Sequence, residues 1–332
     1  MFIKFSYCVN FNLSVTLMRS FIGAPRPNKT TRGVGYFPFF SSPSYFTIPK
    51  CRRALMRITI LSENTVPTSF GLLAEHGFSV LIERKGKTYL YDAGQHGIAT
   101  TNAQSLKKDL SKIEQIFLSH GHYDHTNGLE GVLRAIPHPV IIKGHSAIFE
   151  KKYWIRDIGK KYIGMKYTRS FLEDYLYASF DLVDNFSETA PGFYLSGEVP
   201  FTNDFEKIPA GLQVEINGIM QQDLFPDDNS LFIDTAEGLV IVLGCAHRGT
   251  VNIVEYARKK LGKKITAIIG GTHLHDADPG HYSFVLDYLK ELELKLFAPA
   301  HCTGLERIMD LKRHFNAITQ PAFCGMEYEL AD

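Results

Sequence analysis

Residues 119–125 read Ser-His-Gly-His-Tyr-Asp-His, so three imidazoles and one carboxylate fall within six positions. Imidazole and carboxylate together suit zinc, iron or manganese. His120 and His122 are two apart, and in extended backbone such residues point to the same side. Asp124 and His125 follow where the chain turns toward a helix, within reach of a second ion. Two ions about 3.5–4 Å apart clamp the oxygens of a hydrolytic displacement. Packing alone seldom asks for three ligands at this spacing, so a metal-free histidine-rich surface loop is the weaker account.

Three further histidines follow strand-like runs. Gly244-Cys245-Ala246-His247 follows Leu239–Leu243, Gly270-Gly271-Thr272-His273-Leu274-His275 follows Ile265–Ile269, and Pro299-Ala300-His301-Cys302-Thr303-Gly304 follows Leu294–Ala298. Sites in open α/β sheets collect at the carboxyl ends of strands. One such histidine would be an ordinary core or surface residue. Three on separate strand ends point to a shared centre.

The elements that must position them begin near residue 56. Arg57–Leu61, Phe78–Arg84 and Thr88–Tyr91 are short and β-branched or aromatic, with turns at 84–87 and 93–97. A short helix is expected to begin at Leu106–Leu110. Gln115–Leu118 reads as a buried strand, Gly128–Ala135 as a helix and Val140–Lys143 as a strand. After residue 238 the strands above alternate with helices at Asn252–Leu261, Tyr282–Leu292 and Leu305–Phe315. Ile253, Val254, Ala257 and Leu261 form an apolar stripe on the first of these helices. The progression predicts an α/β layered fold.

Residues 145–215 differ, mixing Phe149, Tyr153, Trp154, Tyr162, Tyr167, Phe171, Tyr175, Tyr177 and Phe180 with charged residues. Two readings stand side by side: an insertion that lids the site, or a surface subdomain whose aromatics form a small core. Lys151, Lys152, Arg156, Lys160, Lys161 and Arg248 could supply a phosphate pocket.

Residues 1–55 carry eight Lys or Arg and no acid, which leaves 28 basic against 35 acidic residues in 56–332. An acidic body argues against binding a phosphate backbone. All 13 histidines lie after residue 75. The first 55 residues show no packing period and read as a poorly folded extension, either an organelle-type targeting segment or a mis-called start ahead of Met56. The five cysteines are odd in number and contain no C-x-x-C pair, as in a reducing compartment. No apolar run approaches the ~20 residues of a membrane span. A cytoplasmic protein is expected, with a small-molecule substrate, phosphorylated in some readings, and no nucleic-acid or membrane partner.

The H-x-H-x-D-H run after a strand resembles the second motif of the metallo-β-lactamase superfamily, and residues 56–332 follow that superfamily's order. Tyr89-Leu90-Tyr91-Asp92-Ala93-Gly94 resembles its first motif. The resemblance implies a four-layer αββα sandwich with an aromatic-rich insertion, and one or two divalent ions, zinc foremost and iron or manganese as alternatives. Asp92 would orient a ligand by hydrogen bond. His120, His122 and His247 would hold one ion, and Asp124, His125 and His301 the other. Many members place a bridging Asp where this chain reads Gly-Cys-Ala-His, so Cys245 or His247 stands in. Asp227 and Asp228 lie where a third-motif histidine is common. His273 would be a ligand or a substrate-binding group. The Gly244–Asn252, Gly270–Leu274 and Pro299–Gly304 runs further resemble the 7,8-dihydropterin-6-methyl-4-(β-D-ribofuranosyl)aminobenzene-5′-phosphate synthase branch.

Three functions follow from the resemblance. The first is a hydrolase in which metal-activated water attacks an ester, lactone or phosphoester and Asp124 orients the water or takes its proton. The second is a transferase joining a dihydropterin diphosphate to an aminobenzene ribose phosphate, its insertion aromatics stacking on the flat ring. The third is a metal-binding sensor without catalysis. Fold alone does not choose among them.

Overall fold

The computed structural model describes residues 55–67 and 71–332. The expected extension over 1–55 lies outside the described residues, apart from Leu55.

The first stretch runs β1 (Leu55–Ser62), β2 (Ser79–Arg84), β3 (Lys87–Tyr91), α1 (Ile98–Ser105), β4 (Ile113–Phe117), the single turn α2 (Tyr123–Thr126), α3 (Leu129–Arg134) and β5 (Val140–Gly144). The middle runs β6 (Lys151–Arg156), β7 (Gly159–Tyr162), α4 (Arg169–Leu176), β8 (Ala178–Leu182), β9 (Ser187–Ala190), β10 (Phe193–Leu195), β11 (Leu212–Ile216) and β12 (Ile219–Gln222). The last stretch is β13 (Leu231–Thr235), β14 (Gly238–Leu243), α5 (Thr250–Leu261), β15 (Ile265–Gly271), α6 (Pro279–Lys290), β16 (Leu296–Ala300), α7 (Leu305–His314) and β17 (Glu327–Ala331).

Among the described residues these strands form three sheets, in the orders β17-β1-β2-β3-β4-β5-β8, β16-β15-β14-β13-β10-β9 and β12-β11-β6-β7. In the first sheet, β3, β4, β5 and β8 are parallel; in the second, β14, β15 and β16 are. Period-2 side-chain alternation sorts the core. Ile58, Ile60, Val80, Ile82, Tyr89 and Tyr91 pack between the two large sheets against Leu231, Ile233, Val240, Val242, Ala267 and Ile269. Their neighbours Leu61, Leu81 and Leu90 face outward onto α1, α3 and α4. Leu239, Ile241 and Leu243 face outward onto α5, α6 and α7. Strands buried on both faces explain the continuous apolar runs in the sequence. The result is the four-layer αββα sandwich that the resemblance implied.

Two local expectations are corrected. The helix expected from Leu106–Leu110 instead precedes it as α1, and a short 3-10 turn follows at Leu110–Lys112. α1 carries little apolar patterning because Asn102, wholly buried, docks it through polar bonds: its Nδ2 donates to the carbonyls of Leu61 at 2.7 Å and Leu73 at 2.8 Å. Residues 145–215 are not one inserted unit either. β8 extends the first large sheet, and β9 and β10 extend the second. Only 151–162 with 212–222 make the separate four-stranded sheet.

Candidate metal centre

The strand ends bring the histidines together. β4 ends beside Ser119, and His122 is still extended, at φ −69° and ψ 147°, as it caps α2. Asp124 and His125 lie on that turn. β14 delivers Cys245 and His247, β15 delivers His273, and β16 delivers His301. Asp92, Ala246, His273 and His301 all adopt positive φ, between 50° and 56°. Such strain costs about 1–3 kcal/mol per residue and clusters at functional sites.

Asp92 organises the centre from beneath. Its Oδ1 accepts the Ser119 N–H at 2.7 Å and its Oδ2 accepts the Ser119 hydroxyl at 2.6 Å. The same Oδ2 lies 2.6 Å from His125 Nδ1, which turns His125 Nε2 inward. That Nε2 meets His301 Nε2 at 3.2 Å and Cys245 Sγ at 3.2 Å. His301 Nε2 lies 3.2 Å from Asp124 Oδ2. On the other side, His120 Nε2 lies 3.0 Å from His122 Nδ1, and the His247 ring sits 4.9 and 5.0 Å from theirs.

Among the described residues the donor atoms form four adjoining groups, two of which are Cys245, His301 and Cys302, and His76, Asp124 and His301. His120, His122 and His247 offer ligand atoms within 4.8 Å of one another, and so do His120, His125 and Cys245. His122 Nε2 and both ring nitrogens of His247 are buried without a hydrogen-bond partner. An unpaired buried polar atom costs roughly 1–3 kcal/mol, and converging imidazole lone pairs are what a divalent ion takes up. The residues therefore fit a metal centre.

The electrostatics agree. Burial, then the charge on His125, holds His120 well below the ordinary histidine value, and burial does the same to His122 and His247. Burial lowers His301 to about 4. Burial would raise Asp124, but His125, His301 and His76 outweigh it and hold the carboxyl well below its usual range. Burial would lower His125, but Asp92 and Asp124 raise it to about 9. His120, His122, His247 and His301 are thus neutral imidazoles beside an ionised carboxylate, the form that metals bind, whereas His125 is held protonated by Asp92 and Asp124 and would give up its Nε2 proton to an ion.

The other residues singled out from the sequence fall outside these groups. His273 lies 4.6 Å from His247, ring to ring, and lines a cavity of about 70 Å³ with Lys207, Thr272 and His281. Asp228 accepts the Arg248 N–H at 2.8 Å, and burial raises it to about 7. The expected phosphate cluster does not assemble. Lys152 is wholly buried between Asp223 and Asp227, at 2.7 and 2.9 Å. Exposed Lys151 pairs with Glu215 at 3.1 Å, and Arg156 lies 3.5 Å over the Trp154 ring. Lys160 and Lys161 rest over Tyr153 and Tyr123. Arg248 donates to the carbonyls of Val199 and Leu224. β-strand alternation turned Lys151 and Lys152 to opposite faces, which proximity in sequence hides.

Sequence reasoning missed His76, whose Nε2 lies 3.0 Å from Asp124 Oδ2. It also missed Glu63 and Asn64, which hold His301 through its N–H at 2.7 Å and its Nδ1 at 2.9 Å. The latter pair follow β1, so the strand-end rule would have found them; nothing in the sequence around His76 carries such a signal. Phe225, stacked on His247 at 4.0 Å and 16°, was likewise unmarked.

Residues 73–219 match the model of the Metallo-beta-lactamase superfamily. The chain is 32% identical to an uncharacterized protein of Methanocaldococcus jannaschii over 263 residues, 79% of this chain and 96% of that one. It is 31% identical to the 7,8-dihydropterin-6-methyl-4-(β-D-ribofuranosyl)-aminobenzene-5′-phosphate synthase of the same organism over 262 residues, 76% of this chain and 88% of the synthase. The crystal structure of Tm1679, described as a metal-dependent hydrolase of the β-lactamase superfamily, superposes with a TM-score of 0.71 at 29% identity, over 83% of this chain and all of that one. With its sandwich matched at this level and its sequence aligned along most of the synthase, the chain belongs to the metallo-β-lactamase superfamily.

Proposed function

We propose that the protein is a metal-dependent hydrolase acting on an ester, lactone or phosphoester of a small molecule. His120, His122 and His247 would hold one divalent ion, and Asp124, His125 and His301 a second, with Cys245 between them. The observation that carries this reading is the set of buried, unpartnered nitrogens on His122 and His247 beside the donors of His120, Asp124, His125, Cys245 and His301. When bound, such ions supply Lewis acidity, lowering the pKa of a water toward ~7 and polarising a carbonyl or phosphoryl oxygen. The ionised Asp124 carboxylate, held by His301 and His76, is placed to take the proton of the attacking water. Asp92 fixes the tautomer of His125 by accepting from its Nδ1. His273, in the cavity beside His247, would face the substrate. Zinc suits this mixed imidazole, carboxylate and thiol set, with iron or manganese as alternatives.

A second reading, a transferase of the pterin-synthase kind, is favoured by the 31% identity to the archaeal synthase. It relies on a phosphate pocket from Lys151, Lys152, Arg156, Lys160, Lys161 and Arg248, and Lys152 is held by two carboxylates instead. The aromatics expected to stack on a flat ring also have partners: Phe149 packs on Phe180, and Tyr167 on Phe171. The hydrolase therefore leads.

The test is metal analysis of the purified protein, then a turnover screen of phosphodiesters, lactones, thioesters and a dihydropterin diphosphate with its aminobenzene acceptor. Bound metal with cleavage of one of the first three supports the hydrolase. Turnover only with the diphosphate and acceptor transfers the assignment to the second reading. Full activity in protein free of metal would overturn both.

A further inference from the structure

Lys152 lies on β6 of the small four-stranded sheet, opposite Val214 of β11, with its side chain wholly removed from water. A buried ammonium is costly unless paired. Its Nζ donates to Asp223 Oδ2 at 2.7 Å and to Asp227 Oδ1 at 2.9 Å. The two carboxylates then differ in what else they hold. Among the described residues, Asp223 Oδ1 accepts only the N–H of nearby Phe225, at 2.7 Å. Asp227 Oδ2 accepts the N–H of Gly121 at 2.8 Å, and Gly121 stands between His120 and His122. The loop packs closely at this point, since a Cβ at Gly121 would stand 2.3 Å from the Ile148 carbonyl oxygen, so only glycine fits there. The same ammonium lies 4.8 Å from the ring of Phe225, which stacks on His247. The residues just after β7 also grip the loop: Ile163 accepts the Tyr123 N–H at 2.9 Å through its carbonyl, and Gly164 bridges to His122.

We propose that Lys152 and Asp227 are positioning residues of the metal centre: the small sheet, through the Lys152–Asp227–Gly121 chain, sets the spacing of His120 and His122. This rests on the reading of those histidines as metal ligands. Apolar residues at 152, 223 and 227 together would fill the same space without the desolvation cost of the three charges. The lysine is accounted for by the carboxylate it holds against Gly121. Lys152 thus acts on the metal loop, although its charge first suggests a substrate phosphate.

The test compares two substitutions on the same ammonium. Asp223→Asn and Asp227→Asn each remove one buried carboxylate from Lys152, but only the second disturbs the bond to Gly121. The full chain is stripped with chelator and titrated with Zn2+ and with Co2+, reading affinity by competition and ligand geometry from the Co2+ absorption bands. Loss of a residue that orients metal ligands typically costs about 10–100-fold in affinity. Asp227→Asn is expected to weaken binding by that factor and to shift the Co2+ bands. Asp223→Asn is expected to change both little, whatever it does to melting temperature. If Asp227→Asn does not fold, Asp227→Glu, which keeps the charge but displaces the acceptor, is read by the same criteria. Equal effects of the 223 and 227 variants, or wild-type affinity and spectrum in the 227 variant, would overturn the proposal. Wild-type protein that binds neither ion would instead sink the metal-centre reading itself.

Discussion

Asp92 carries more of the centre than its single position suggests. It accepts from the backbone and hydroxyl of Ser119 and from His125 with one carboxylate. Asp92→Asn would keep the shape but present an amide N–H or a weaker acceptor to His125. Metal affinity is expected to fall about 10–100-fold, measured by chelator competition. Asp228 offers a pH test. Burial raises its carboxyl from 3.8 to about 7, so the folded state keeps a proton that the unfolded state has released. The contribution of this group to stability is therefore greatest below pH 4 and is lost as pH rises toward 7, on the order of 4 kcal/mol in all. An asparagine cannot ionise and still offers an acceptor to the Arg248 N–H. In the metal-free protein, Asp228→Asn should gain stability relative to wild type between pH 4.5 and 7.5. Parallel urea midpoints for the two proteins across that range would refute the assignment.

At the scale of elements, the centre depends on how closely α3 approaches the end of β3. The Gly128 N–H bonds to the Gly94 carbonyl at 2.9 Å, and the Ala93 N–H bonds to the His125 carbonyl at 2.7 Å. A Cβ at Gly128 would stand 1.9 Å from the Ala93 carbonyl oxygen, although its φ of −75° suits any residue. Space, and not backbone conformation, requires the glycine. Gly128→Ala is expected to cost about 1–3 kcal/mol through overpacking, seen as a lower melting temperature, and to weaken metal binding as the Asp92 and His125 segments part. α5 shows a different dependence. Its first turn is satisfied from a distant loop, where Glu206 accepts the N–H groups of Val251 at 2.8 Å and Asn252 at 2.9 Å.

Across the whole molecule, the two large sheets contribute different donors. His120, His122, Asp124 and His125 follow the first sheet's β4; Cys245, His247 and His301 follow β14 and β16 of the second. Bound ions would join the sheets at one rim, and a ligand that binds only the folded state adds about 2.7 kcal/mol at a hundred times its Kd. At roughly 2–4 °C per kcal/mol for a domain of this size class, stripping the metal should lower the melting temperature by about 5–10 °C. Calorimetry with and without chelator reads this directly. An unchanged melting temperature would mean that the rim does not depend on metal. Among the described residues, no helix is long and apolar enough to cross a membrane.

Periodicity and spacing alone were enough for the alternating strands and helices after residue 238, for the strand preceding His120, and for strand ends as the place where His247, His273 and His301 would gather. These follow from local physics: period-2 burial, helical stripes, and the tendency of parallel strands to present their carboxyl ends to one rim. Apart from the Asp92 contact that the resemblance implied, what lay beyond the sequence was the contacts that polar side chains make across elements. Asn102 docks a helix whose apolar pattern is faint, His76 reaches Asp124 from a loop ahead of β2, and β8, β9 and β10 join large sheets from within a stretch that looked like an insertion. Lys152 is the clearest case. Its type and neighbours suggested a phosphate, but whether a lysine meets solvent, substrate or a buried carboxylate depends on which face of a strand it occupies and what packs there. That is decided only when the sheets assemble, because the energy of a charge is set by its surroundings and not by its place in the chain.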